Sequence, residues 1–300
     1  MSVAAGVPSK SERIESYRTA SWPRRIAMHN AIAAHKSVAI SARRELGRRY
    51  LAQHPGEIVV PFERAALAVQ LESETRPARE QATALAVGRA SQHESASLQY
   101  PVLGHDFPAD SDVIKLALSP LFLVPITRYC GMLPVLFNLF VTRAYQSELN
   151  RNSAHHFHMD PEDIISFKVF IHLTDVDEDC GPLHVLPANL TEKVLKAVDY
   201  RGIGYIPDET VDELVGLDNA IRFVGRAGTV ALADTTRCLH FGGRPRAAGK
   251  PVRDMLVFQY LLPTSLLFPI DGDAKKPRFL PQLEPTGSEM QDALIGATLT

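Results

Sequence analysis

Ser153-Ala154-His155-His156-Phe157-His158-Met159-Asp160 and, far downstream, Cys238-Leu239-His240-Phe241-Gly242-Gly243-Arg244 are the two stretches on which the reading of this chain turns. Alternate residues of a strand share a face, so His158 and Asp160 point the same way, and His240 can join them from another strand. Two imidazoles and one carboxylate on one side of a metal are the donor set of the facial triad of non-haem Fe(II) sites. His-x-Asp by itself arises often by chance, and the surrounding sequence decides whether it means anything.

That surrounding sequence reads as strands. After Val141 the texture changes from helical to alternating: Phe167, Val169, Ile171 and Leu173 alternate with Lys168, Phe170 and His172, which predicts a strand with two unlike faces. An acidic turn, Asp175 to Gly181, precedes a short strand at Leu183, Val185 and Leu186 that stops at Pro187. Leu190 to Arg222 is expected to hold helical and irregular insertions. Gly225-Arg226-Ala227-Gly228 then turns the chain into a strand over Thr229–Ala233. Gly242-Gly243, Pro245, Gly249 and Pro251 mark a long turn ahead of the last strand, Arg253 to Leu262, which Pro263 ends. Many short strands with Gly and Pro turns, preceded by helices, predict an α+β chain with a jelly-roll core flanked by helices.

Upstream, residues 1–20 are small, polar and charged, and are expected to form a flexible lead-in. Trp22 to Tyr50 reads as helix; the excess of Arg43, Arg44, Arg48 and Arg49 over Glu45 is better explained by a solvated face than by an anionic partner. Pro55-Gly56 predicts a turn and Glu57–Val60 a short strand. Glu63 to Ser91 is expected to be helical, with Pro77 breaking or starting a helix. His93 to Asp112 reads as loop. Asp110-Ser111-Asp112 offers an N-cap to a helix that buries Val113, Leu116, Ala117 and Leu121. Val113–Val141 is the most apolar region, but Lys115, Pro120, Pro125, Arg128 and Pro134 interrupt it, so buried helix and loop are expected rather than a membrane span. The organisation expected is one domain over 21–300, with a mainly helical part at 21–140, a jelly-roll core at 141–265 and a C-terminal extension at 266–300.

Three hundred residues with 45% hydrophobic content and a net charge of −2 are enough for one domain with an ample core. The charge balance leaves no electrostatic footprint for nucleic acid. Cys130, Cys180 and Cys238 are widely spaced and form no Cys-x-x-Cys pair, which argues against a disulfide framework or a cysteine zinc site. Met1 to Lys10 lacks the pattern of a secretory signal, and a cytoplasmic location is expected. Phosphate-loop, dinucleotide-fold, nucleophile-elbow and His-Glu-x-x-His signatures are all missing, so kinase, dehydrogenase and hydrolase readings lose their usual support.

His158-Met159-Asp160, Phe170-Ile171-His172-Leu173-Thr174-Asp175-Val176-Asp177, Cys180-Gly181-Pro182-Leu183-His184-Val185-Leu186-Pro187, His240 and Arg253, in that order and spacing, resemble the phytanoyl-CoA dioxygenase family over roughly 140–265. The resemblance implies a double-stranded β-helix, a jelly-roll variant, and an Fe(II)- and 2-oxoglutarate-dependent dioxygenase. Such an enzyme hydroxylates or otherwise oxidises a C–H bond with O₂ while 2-oxoglutarate decarboxylates to succinate. It further implies that His158, Asp160 and His240 bind iron and that Arg253 holds the distal carboxylate of 2-oxoglutarate. Arg244 and Arg246 compete for that last task. Arg253 is favoured because it starts a strand and shares a face with Met255, Val257 and Gln259, whereas the other two lie in the Gly- and Pro-rich turn, at the surface or the mouth of the site.

Asp160 favours hydroxylation or a related oxidation over halogenation, since related halogenases carry a small residue there. The chain departs from the family at Ala188-Asn189-Leu190, where Pro187 would usually lead into Gly-Ser-His. His156 shares the parity of His158, and a supporting or packing role is expected of it. His155 should point away. His172 and His184 are expected to be ordinary core or surface histidines, and Cys238 a small buried filler. The alternative is a cupin-type metalloprotein that does not use 2-oxoglutarate, with His156, His158 and Glu162 as ligands; a jelly roll that only binds is a third reading. A small-molecule substrate, no nucleic acid and no membrane partner are expected, and the oligomeric state is left open.

Overall fold

The computed structural model describes residues 16–17, 20, 22–87, 89, 98–145, 155–160, 163–200, 204–242, 244, 251–265, 267–268 and 280–297. Most of the lead-in, the stretches 269–279 and 298–300, and Glu162, Gly243 and Arg246 lie outside them.

Six strands form one antiparallel sheet in the order β1-β7-β4-β9-β3-β2: β1 Ala66–Gln70, β2 Leu98–Leu103, β3 Val135–Tyr145, β4 Ser166–His172, β7 Thr229–Asp234 and β9 Pro251–Leu261. Three short strands, β5 Leu183–Val185, β6 Ile221–Phe223 and β8 His240–Phe241, form a second antiparallel sheet in the order β6-β5-β8. Phe170, Met255 and Val257 of the large sheet share one buried cluster with Leu183, Val185 and Phe223 of the small one. The two sheets therefore enclose a common interior.

The alternation in β4 explains its place at the middle of the large sheet. Phe167, Val169 and Ile171 are fully buried on one face, and Phe167 packs against Tyr129 with ring centroids 5.1 Å apart. Lys168, Phe170 and His172 occupy the other face, toward the small sheet. The backing layer under β9 is helical: Phe258 meets Phe122 at 6.0 Å, and the Tyr260 hydroxyl donates to the Ala117 carbonyl at 2.6 Å. Those partners come from α4 Asp112–Ala117 and α5 Pro120–Cys130. Ser111 caps α4, its hydroxyl accepting from the Ile114 amide at 3.2 Å. The apolar stretch that spans both helices is broken between them and 61% buried within the fold, as a core helix pair is.

The first half of the chain differs from the expectation of a mainly helical part. Helices α1 Trp22–His35, α2 Ser37–Gln53 and α3 Glu72–Val87 are present, but Ala66–Gln70 is strand where helix was expected, Leu98–Leu103 is strand where loop was expected, and Glu57–Val60 is not a strand. Strand β3 starts at Val135, so the expected border at 141 falls inside it. The reason is pairing: β1 adds to β7 in register Ala66↔Ala233 through Gln70↔Thr229, and β2 adds to β3 at the other edge. A short alanine-rich segment takes its conformation from such a partner rather than from its own helix propensity. Pro77 sits inside α3 without ending it. At the other end, Tyr17 and Ala20 are buried, so packing begins within the lead-in, and Leu280, Leu283 and Leu294 of the C-terminal stretch join the main core. Helices α6 Ala188–Ala197 and α7 Asp208–Val215 fill the insertion between β5 and β6, and α8 spans Glu289–Leu294. The three cysteines are free.

Candidate metal centre and anion pocket

His158 and Asp160 leave a short bridge at the rim of the small sheet. His158 pairs with His240 in both directions, the His158 amide donating to the His240 carbonyl at 3.1 Å and the return bond measuring 3.0 Å. The Asp160 amide donates to the Thr235 carbonyl at 3.0 Å. These backbone bonds bring together side chains that lie far apart in sequence. The ligand atoms of His158, Asp160 and His240 all lie within 4.8 Å of one another, a group able to hold a metal ion. The two imidazole centroids are 4.4 Å apart, and His240 Nε2 lies 3.8 Å from Asp160 Oδ1.

Each ring is oriented by a backbone carbonyl. His158 Nδ1 is 2.8 Å from the His156 carbonyl, and His240 Nδ1 is 3.0 Å from the Cys238 carbonyl. A carbonyl only accepts, so each Nδ1 carries a proton, and in the neutral ring Nε2 keeps the lone pair that a metal requires. Burial, reinforced by the neighbouring His158, lowers the His240 pKa to about 3 and keeps that ring neutral. Burial alone would raise the pKa of Asp160, but the Lys168 ammonium, which also hydrogen-bonds the carboxylate, outweighs it and holds the carboxyl below its ordinary range.

Lys168 Nζ donates to Asp160 Oδ2 at 2.5 Å, a contact the sequence reading did not anticipate. Its parity with Phe170 was the available signal. The cavity beside the triad is about 140 Å³ in volume. Its walls are Tyr100, Phe140, Phe170, Leu183, Met255 and Val257, with Thr142, Lys168 and Arg253 as polar groups. Strand register explains the grouping. Phe140 and Phe170 both oppose Val257, and Thr142 and His172 both oppose Met255, so one face of three neighbouring strands supplies the wall.

Arg253 is 3% exposed, and its Nε and Nη1 have no hydrogen-bond partner among the described residues. Burial lowers its pKa to about 10, which still leaves it a cation. A buried guanidinium with unused donors is costly in isolation and fits a site that receives an anion. Gly242 makes room for it: a Cβ there would come within 3.1 Å of Arg253 Nη2. One residue along, Asp254 takes both forks of Arg143, at 2.8 Å and 2.5 Å, fixing β9 against β3 beside the pocket.

The other candidates fall outside this arrangement. Arg244 is bound to both carboxylate oxygens of Asp208, donates to the His155 carbonyl at 2.6 Å and lies 3.7 Å over the Phe241 ring, so its charge is already spent. The expected cationic mouth loses Arg244 for that reason; Arg246 is outside the described residues. His156 stacks on Tyr205 at 4.5 Å, His184 stacks on Phe241 at 4.4 Å, and His155 is buried. Among the described residues His156 is not part of a metal-binding group, and Glu162, the other residue specific to the cupin alternative, is outside them. Cys238 is buried, its thiol donating to the Arg64 carbonyl at 3.4 Å.

Thr191 was missed as well. Its hydroxyl donates to the Leu186 carbonyl at 2.9 Å and accepts from the Leu239 amide at 3.0 Å. The Ala188-Asn189-Leu190 departure thus begins a helix that is pinned next to His240. A larger hollow of about 590 Å³ lies behind Met159 and Thr236, but it holds none of the triad, and its Lys196 and Glu192 pair with each other at 2.8 Å.

No protein-family model matches the chain, and no curated protein matches it. Solved structures do. EctD from S. alaskensis in its apoform is 15% identical over 67% of this chain and 74% of its own, with a TM-score of 0.48. SnoN, a non-heme alpha-ketoglutarate-dependent epimerase from nogalamycin biosynthesis, is 19% identical over 85% and 91%, at 0.47. HygX from Streptomyces hygroscopicus, with nickel and 2-oxoglutarate bound, is 15% identical over 67% and 83%, at 0.44. At that distance the function is read from the site itself.

Proposed function

We propose that the protein is an Fe(II)- and 2-oxoglutarate-dependent dioxygenase that hydroxylates, or otherwise oxidises, a C–H bond of a small organic substrate. The observation that carries this is the pairing of two features in one pocket: a His158–Asp160–His240 group whose imidazole Nδ1 atoms face backbone carbonyls, and the buried guanidinium of Arg253, whose Nε and Nη1 have no partner among the described residues. The two antiparallel sheets around a common interior suit the double-stranded β-helix that this chemistry uses.

His158, Asp160 and His240 would hold the iron, which when bound supplies the activation of O₂ coupled to decarboxylation of the oxo-acid. Arg253 would take the distal carboxylate through paired N–H donors, a geometry that lysine lacks. Lys168 holds one Asp160 oxygen and leaves the other for the metal. Phe140, Phe170, Met255 and Val257 exclude water and present an apolar wall to the substrate.

Anaerobic titration of the iron-loaded protein with 2-oxoglutarate tests the reading. A weak visible charge-transfer band should appear, and it should weaken or need much more 2-oxoglutarate in Arg253→Ala. Iron binding without any band would sink the proposal.

A further inference from the structure

His172 departs from the pattern of a satisfied core histidine. It is 1% exposed, yet among the described residues its Nδ1 has no hydrogen-bond partner, the same condition as Nε and Nη1 of Arg253. A buried polar atom without a partner loses the water it would otherwise bind, and His172 and Arg253 carry such atoms on the paired strands β4 and β9. His172 lies on the face of β4 that carries Lys168 and Phe170, and its cross-strand partner is Met255; all three of those line the cavity. Arg253 follows two residues before Met255 on the same face of β9.

We propose that His172 is a binding residue for the distal carboxylate of 2-oxoglutarate, completing with Arg253 a two-sided receptor and taking a proton from solvent as the ligand enters. The proposal rests on the oxygenase reading above and adds to it a residue and a coupled proton.

The proton follows from the ring's two neighbours. The Gly225 backbone carbonyl already takes a hydrogen bond from the ring, and with Nδ1 unpartnered the donor there is Nε2. In the neutral ring Nδ1 is then a lone pair, which a carboxylate would repel. Only the imidazolium donates from both nitrogens. Without ligand, burial first and then the charge of Arg253 hold the His172 pKa at about 4, with Asp175 opposing them. An entering carboxylate offsets the Arg253 charge and stabilises the imidazolium. The bound form therefore has the higher pKa, protons are taken up between the two values, and affinity is lost as pH rises through the higher one.

The test is calorimetric titration of the anaerobic Fe(II)-loaded protein with 2-oxoglutarate across about pH 5.5 to 8.5, in buffers of different ionisation enthalpy so that proton uptake is counted. The parent should take up protons and lose affinity by up to about tenfold per pH unit over part of that range. His172→Asn keeps a donor but cannot charge; it should bind with a flatter pH profile and without the uptake. His172→Phe should bind at least about tenfold more weakly at the acid end. Thermal melts of both variants establish that they are folded. Proton uptake and pH slope unchanged in His172→Asn, or 2-oxoglutarate binding by the parent without uptake, would overturn the proposal while leaving the oxygenase reading intact. Failure of the parent to bind 2-oxoglutarate at any pH would remove both.

Discussion

Asp160 carries two loads at once: it is a candidate ligand, and it is the partner of a buried lysine. Asp160→Ala removes one of three donors and leaves Lys168 without its carboxylate. Iron affinity should fall by two orders of magnitude or about that, and turnover with it, measured by equilibrium dialysis and succinate release. The fold should survive, because the backbone amide of Asp160 still donates to the Thr235 carbonyl. Loss of the native near-UV signal, or retained turnover, would contradict this. His172 and Lys168 show what single positions conceal: a strand parity tells which side chains face one another but not whether their polar atoms are satisfied.

At the scale of elements, two polar anchors hold the turn after β7 and the strand of His240. Thr191→Val is nearly isosteric and leaves the Leu186 carbonyl and the Leu239 amide without their side-chain partner; it should cost about 1–3 kcal/mol in denaturant unfolding. A change under a few tenths would mean that other groups replace the hydroxyl. Asp234 ends β7, fully buried, with Tyr129 donating at 2.9 Å and Thr236 at 2.7 Å, while Arg237 donates to the same Tyr129 hydroxyl at 2.7 Å. Burial raises its pKa to about 6 despite these donors. A carboxyl with a raised folded pKa contributes stability that is present below its unfolded value, near 3.8, and is lost as pH rises through about 6. The stability difference between parent and Asp234→Asn should therefore shift by roughly 2 kcal/mol against the parent from about pH 4 to pH 6.5, other groups cancelling in the comparison. A flat difference would show that Asp234 is ionised throughout.

Over the whole molecule, the N-terminal helix closes on the loop that follows Asp160. His29 Nε2 of α1 lies 3.0 Å from Asp163 Oδ1, with both side chains almost completely buried. Arg25 of the same helix is buried and donates to the Tyr17 and Ala20 carbonyls at 3.0 Å and 3.2 Å, folding the preceding residues against it. His29→Leu leaves a buried carboxylate without that neighbour and should destabilise by about 2 kcal/mol or more. Hydrogen exchange should quicken in 22–35 and 155–165 together; quickening in α1 alone would show that the helix does not support the loop.

How much of this was legible follows from the range of each interaction. Strands β4, β5, β7 and β9 and the helices of 22–53 were readable, because alternation, helical spacing and proline stops are local. The shared parity of His158 and Asp160 and the strand position of Arg253 were readable for the same reason, while the role of Arg253 belongs to the proposal. Ala66–Gln70 and Leu98–Leu103 were not, since each becomes a strand only by pairing with β7 or β3. Nor were Lys168, Thr191 and His172, whose roles depend on partners brought close by folding: the carboxylate of Asp160, the amide of Leu239, the guanidinium of Arg253. Sequence by itself determined which donors the chain owns and on which strand faces they lie. Tertiary structure decided which buried donors are satisfied and which are left waiting, because satisfaction depends on distances between strands that the order of residues does not contain.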